Sequence, residues 1–185
     1  MGALHRRLAL VASIVLTSAL PLAARADTFT VTSAAFADDG LMPSRFANTR
    51  LAPDGRPCGG QNVSPPIAWS GAPAATKSYA VTLIDPDGHK GLGVVHWVAY
   101  NFPAGQMSVP EGRPTAGGTP GKTSEASGYS GVCPPLGAAP HHYLIQVYAL
   151  DAALDLAPGL DRDALLKAIE PHVIGVTSYA GRYGR

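Results

Sequence analysis

Ser78-Tyr79-Ala80-Val81-Thr82-Leu83-Ile84-Asp85-Pro86-Asp87-Gly88 is an apolar run closed by an acidic turn, and Val94-Val95-His96-Trp97-Val98-Ala99-Tyr100 follows within a few residues. Both runs are apolar at odd and even positions, the pattern of central strands covered on both faces. Gly88 to Gly93 is a tight, Gly-rich connection with no room for a helix, so the two strands are predicted to pair antiparallel. Burying a carboxylate or imidazole without partners costs several kcal/mol, so strand interiors rarely carry one. Asp85 and His96, on neighbouring apolar runs, therefore suggest a shared site. A third polar group arrives with His141-His142-Tyr143, which opens another strand after the Pro/Gly-rich run Gly128 to Pro135. Side-chain alternation puts His141, Tyr143, Ile145, Val147 and Ala149 on one face and His142, Leu144, Gln146 and Tyr148 on the other. His141 and Tyr143 are expected to point inward, and His142 away.

Around this centre, Thr28 to Ser33 alternates as a half-buried strand does. Phe36 to Gln61 is punctuated by Pro43, Pro53, Asp54-Gly55 and Gly59-Gly60, which predicts short strands and loops with little helix. Pro103 to Pro140 has almost no apolar periodicity; a loop this long beside His141 reads as functional. Asp161 caps a predicted helix from Arg162 to about Glu170, with Leu165, Leu166 and Ile169 on one stripe and Pro171 stopping it. Val173 to Tyr179 is β-branched-rich and reads as either strand or helix. The expected fold is mainly β, a two-sheet antiparallel sandwich-like core with one or two C-terminal helices, without repeats or an internal domain boundary.

Residues 1–26 read as a secretory signal peptide, leaving residues 27–185 as a single domain. Arg6 and Arg7 precede an apolar run from Leu8 to Leu22, and Ala24-Arg25-Ala26 supplies the small-residue cleavage pattern. The run is short of the ~20 residues a span needs, so no membrane span is expected after cleavage, and the location is periplasmic or secreted. Cleavage removes three arginines and no acid, which takes the formal charge from +1 to −2. The remaining basic residues are scattered, which argues against a nucleic-acid partner. Cys58 and Cys133 are the two cysteines, and an even count in an exported chain favours a bridge. They lack the CxxC spacing of a zinc site.

Four motifs resemble the phosphatidylethanolamine-binding proteins, in particular the bacterial branch related to the Raf kinase inhibitor protein. They are Asn62-Val63-Ser64-Pro65-Pro66-Ile67-Ala68-Trp69; Asp85-Pro86-Asp87; Val95-His96-Trp97-Val98 with Asn101-Phe102-Pro103; and Gly128-Tyr129-Ser130-Gly131 through Cys133-Pro134-Pro135 to His141-His142-Tyr143. They run in the family's order over nearly all of the chain after residue 27. The resemblance implies a large antiparallel sheet packed on a smaller one, with a small anion-binding pocket at one end. It implies that Asp85, His96, His141 and Tyr143 line that pocket, with Asp87 and Pro134 at the rim. The chain departs from the family in having Gly88-His89 after the acidic motif and His142 where an Arg is usual.

Two imidazoles near neutrality and a tyrosine hydroxyl suit capture of a phosphate-bearing ligand, either a lipid head group, a nucleotide or a phosphorylated side chain. Asp85 would be repelled by a bare phosphate, so it is expected to orient a histidine or accept from the ligand. Plainer roles exist: Asp85 as the cap of an Asx turn, His96 as a satisfied core histidine. A second functional reading is an inhibitor of a kinase or protease that meets a protein target through the loop around Cys133. A third is a hydrolase using Ser130, although Gly128-Tyr129-Ser130-Gly131-Val132 misses the last glycine of a nucleophile elbow. No cofactor or metal is expected, and the chain reads as a binder rather than an enzyme.

Overall fold

Strand β4, Ser78–Asp85, is almost wholly buried, and the molecule is built outward from it. The computed structural model describes Gly2 and residues 27–185, so the expected signal peptide, Gly2 apart, and its expected cleavage site lie outside the described residues. Beside β4 run β5, Val94–Pro103, and β8, His141–Leu150, both antiparallel to it. Strand β9, Val173–Tyr183, then pairs antiparallel with β8 along nearly its whole length. The segment that the sequence left open between strand and helix is thus a strand, its backbone groups paired by the neighbouring ladder. Short strands β2, Gly40–Leu41, and β7, Thr119–Pro120, complete a six-stranded sheet in the order β2-β9-β8-β4-β5-β7. A second sheet holds β1, Thr30–Thr32, β3, Ile67–Ser70, and β6, Ser108–Val109.

Alternation along the long strands separates two cores. Tyr79, Val81, Leu83, Ile145 and Val147 face the small sheet and pack with Val31, Ile67 and Trp69. Ala80, Val98, Tyr100, Tyr148 and Leu150 face the other way, onto Leu165 and Ile169 of a helix, Arg162–Ile169. Burying aliphatic and aromatic side chains like these contributes about 1.5–3 kcal/mol each. The helix begins as its sequence predicts: Asp161 Oδ1 accepts from the Ala164 amide at 2.8 Å. It ends in a 3-10 turn, Glu170–His172, that contains Pro171. The connection between β4 and β5 holds one four-residue helical turn, Gly88–Gly91, where no helix was expected. His89 and Lys90 within it have φ of 50° and 62°, so it is a left-handed reversal and not a run of right-handed helix.

The ladder between β4 and β5 breaks once beside the turn. Leu83 pairs with Trp97, but Ile84 pairs with Val95, leaving His96 as an extra residue. This is a β-bulge, and it turns His96 to the same face as Trp97. The loops above that end of the sheet are tied by a disulfide between Cys58 and Cys133, Cα atoms 5.3 Å apart and 75 residues apart in sequence. Closing a loop of that length stabilises by about 4–5 kcal/mol in the chain-entropy model.

Candidate functional site

Asp85 ends β4 with its carboxylate buried, and its two oxygens do different work. Oδ1 accepts from the amides of Asp87 and Gly88, both at 2.9 Å, which is the Asx turn. Oδ2 lies 2.8 Å from His141 Nδ1, so the same residue orients a histidine. The two expectations for Asp85 are complementary. Gly88 is required for this approach, because a Cβ there would lie 2.9 Å from Asp85 Oδ2.

His96 is buried at the bulge, and its Nδ1 donates to the Ser130 carbonyl at 2.8 Å. The Ser130 amide returns a bond to the His96 carbonyl at 2.7 Å. Burial holds the imidazole below its usual pKa, with the Ser130 carbonyl and the Asp85 charge opposing in part. Neither His96 nor His141 has a partner for Nε2 among the described residues, and both rings line one cavity of about 660 Å³. That volume suits a small molecule.

Asp87, Pro134 and the bridged Cys133 line the same cavity. Asp87 Oδ2 accepts from the amide and Nδ1 of His142, at 2.8 and 2.9 Å, which lowers the Asp87 pKa. His142 is itself exposed, outside the cavity, as alternation predicted. Tyr143 is the exception to the expected set. It is fully buried beneath the cavity with its ring edge-on to His96, centroids 5.4 Å apart, and it is not among the lining residues. Its hydroxyl has no partner among the described residues, and burial, then the Asp85 charge, pushes its pKa up. An inward-facing residue two positions further along β8 than His141 lies deeper in the sandwich, so Tyr143 supports the His96 ring from below.

Arg50, Asp54, Lys90, Glu125 and Arg185 also line the cavity, and no local pattern in the sequence marks them as site residues. Arg185 binds across the rim: Nε donates to the Pro134 carbonyl at 2.6 Å, Nη1 to the Pro57 carbonyl at 3.1 Å, and Nη2 to Asp54 Oδ2 at 3.0 Å. Arg50 pairs with Glu125. Every carboxylate on the cavity wall thus has a basic partner: Asp54 with Arg185, Asp85 with His141, Asp87 with His142, and Glu125 with Arg50. Lys90 has no ion-pair partner among the described residues.

Ser130 is buried and occupied. Its hydroxyl accepts from Asn48 Nδ2 at 3.1 Å and donates to Glu125 Oε2 at 3.0 Å. His96 meets its carbonyl and Asp85 meets the other histidine, so the residues of a Ser130, His96, Asp85 triad are not connected as one. Asn62, at φ 54°, accepts from the Gly131 amide at 2.7 Å and holds this segment in place. Among the described residues, no group of three His, Cys, Asp or Glu side chains is placed to hold a metal ion.

Comparison with known proteins agrees with this layout. The phosphatidylethanolamine-binding protein family matches residues 32–184. A UPF0098 protein of Methanothermobacter thermautotrophicus is 38% identical over 157 residues, which cover 82% of this chain and 95% of the relative. LppC of Mycobacterium tuberculosis, named as a candidate lipoprotein, is 35% identical over 159 residues, 85% of this chain and 73% of LppC. The crystal structure of Escherichia coli YbcL, described as a new member of the mammalian PEBP family, matches with a TM-score of 0.76 at 28% identity, over 85% of this chain and 98% of YbcL. With the sequence match running from the end of β1 past the end of β9 and the fold shared with YbcL, this chain belongs to the phosphatidylethanolamine-binding protein family.

Proposed function

We propose that the cavity binds a small ligand bearing an oxyanion of the phosphate type, and that the chain is a binder in the cell envelope rather than a catalyst. One observation carries the ligand reading: each of the four wall carboxylates is engaged by a partner, while Lys90 and the Nε2 atoms of His96 and His141 are left for a guest. A cavity whose carboxylates are engaged and whose edge carries an uncommitted cation favours anions. The binding role is supported by the place of Ser130, which is buried between Asn48 and Glu125 and is not among the residues that line the cavity. Export is supported by the signal-like residues 1–26 and by the lipoprotein name of the relative LppC. Protein recovered from the envelope is expected to begin at Asp27, and a mass that retains residues 1–26 overturns the export reading.

Calorimetric titration with inorganic phosphate and phosphoethanolamine tests the ligand reading. His141→Ala should cost about 1.5–3 kcal/mol of binding, the scale of a charge-assisted hydrogen bond. His142→Ala should cost less than about 0.5 kcal/mol, since His142 lies outside the cavity. Absence of binding, or equal losses in the two variants, overturns it.

A further inference from the structure

Three histidines line the cavity: His89 lies on the exposed turn between β4 and β5, while His96 and His141, at the end of the sheet, are held differently, and the difference lies in the atom on the far side of each ring. His141 Nδ1 faces a charged acceptor, Asp85 Oδ2 at 2.8 Å, beside which a ring cation is paired. His96 Nδ1 faces an uncharged one, the Ser130 carbonyl at 2.8 Å, and both oxygens only accept. The single proton of the neutral His96 ring therefore sits on Nδ1, and Nε2 is left with a lone pair. A second proton would have to enter a buried ring, with Asp85 and Glu125 favouring it and Arg50 opposing it, and with the Tyr143 ring packed on its edge. The two contact points are thus unequal. His141 can donate when protonated, whereas His96 asks for a donor.

Resting on the oxyanion reading above, we propose that the cavity selects oxyanions that still carry a proton: inorganic phosphate and phosphate monoesters, and not phosphodiesters or sulfate. A P–OH donates to His96 Nε2 while another oxygen of the same group accepts from His141. A diester or a fully ionised oxyanion, neither of which carries a proton, instead sets its oxygen lone pairs against that of Nε2, and a buried acceptor left facing another acceptor is penalised. Monoesters retain a proton up to a second pKa of about 6, so the class is well populated in mildly acidic to neutral surroundings.

Ethyl phosphate and dimethyl phosphate make the comparison directly. They are isomers, and at about pH 5.5 both are predominantly monoanions, ethyl phosphate retaining one proton. Titration of the protein is expected to show ethyl phosphate and inorganic phosphate binding about tenfold or more tighter than dimethyl phosphate and sulfate. Equal affinity for the two isomers overturns this inference and leaves the oxyanion reading standing; no binding of any of the four overturns both. In His96→Gln, whose amide can donate, the preference should collapse toward unity, and an unchanged preference removes His96 as the discriminator. The ring nitrogens of unaltered protein give a readout independent of that variant. Two-bond nitrogen–proton correlation should find a pyridine-like Nε2 in His96 near neutral pH, and a protonated Nε2 overturns the inference.

Discussion

At the scale of single residues, the site is decided by who faces each ring nitrogen. Asp85 was legible as a site residue because a carboxylate ending an apolar strand needs partners, and it has three: two amides and His141. Arg185 was not legible. Nothing in a sequence says that a residue 51 positions beyond Pro134 will bind its carbonyl. Burial of neutral His96 also links the site to stability. Its folded-state pKa is depressed, so below the unfolded value of about 6.5 the unfolded chain takes up a proton that the folded chain refuses. The contribution is fully present above that pH and is lost as pH falls toward the folded value, at up to about 1.4 kcal/mol per pH unit. Urea midpoints measured at about pH 7.5 and pH 5.5 should therefore fall more steeply for the unaltered protein than for His96→Gln. Parallel slopes would show that His96 titrates alike in both states.

At the scale of elements, β4, β5 and β8 could be read from apolar runs, and the helix from its Asp161 cap, because those signals are local. Strand β9 could not, since it mixes β-branched residues with Gly175 and Gly181 and depends on β8 for its pairing. Gly181 is small because Phe36 and Met42 occupy the space a Cβ would take, with Met42 Cγ 2.6 Å away. The bulge was equally hidden. Even alternation from Trp97 puts His96 on the opposite face, and only the shift between Leu83 and Ile84 brings it to Asp85 and His141. Without His96, Val94 faces in, Val95 out and Trp97 in, an unbroken alternation. Deletion of His96 is therefore expected to leave a cooperatively folding protein that no longer binds anions. Deletion of Val98 should prevent folding, because it moves the residues on one side of the break to the wrong faces. Circular dichroism through a urea titration checks both, and equal damage from the two deletions refutes the bulge as a separable insertion.

At the scale of the molecule, the cavity has two unlike halves. Its floor is the end of a six-stranded sheet, with Asp85, His96 and His141 on three adjacent strands. Its rim is irregular chain, gathered by the Cys58–Cys133 bridge and by the three contacts of Arg185. The two-sheet architecture was readable because central strands announce themselves by being apolar on both faces. The closing of the rim was less so, since loops rich in Gly and Pro carry no periodicity from which to infer their partners. The contrast between floor and rim has a temporal side. Amides of β4 are paired to neighbours on both sides and covered above and below, so their deuterium uptake should track global opening. Rim amides around Pro53, Gly91 and Leu136 lie in exposed chain and should exchange through local opening long before. A guest that binds the folded form alone raises the cost of global opening as well as of the local openings that break its contacts, so phosphate-dependent protection is expected to be even along the floor and uneven along the rim, where only the stretches that touch the guest are slowed.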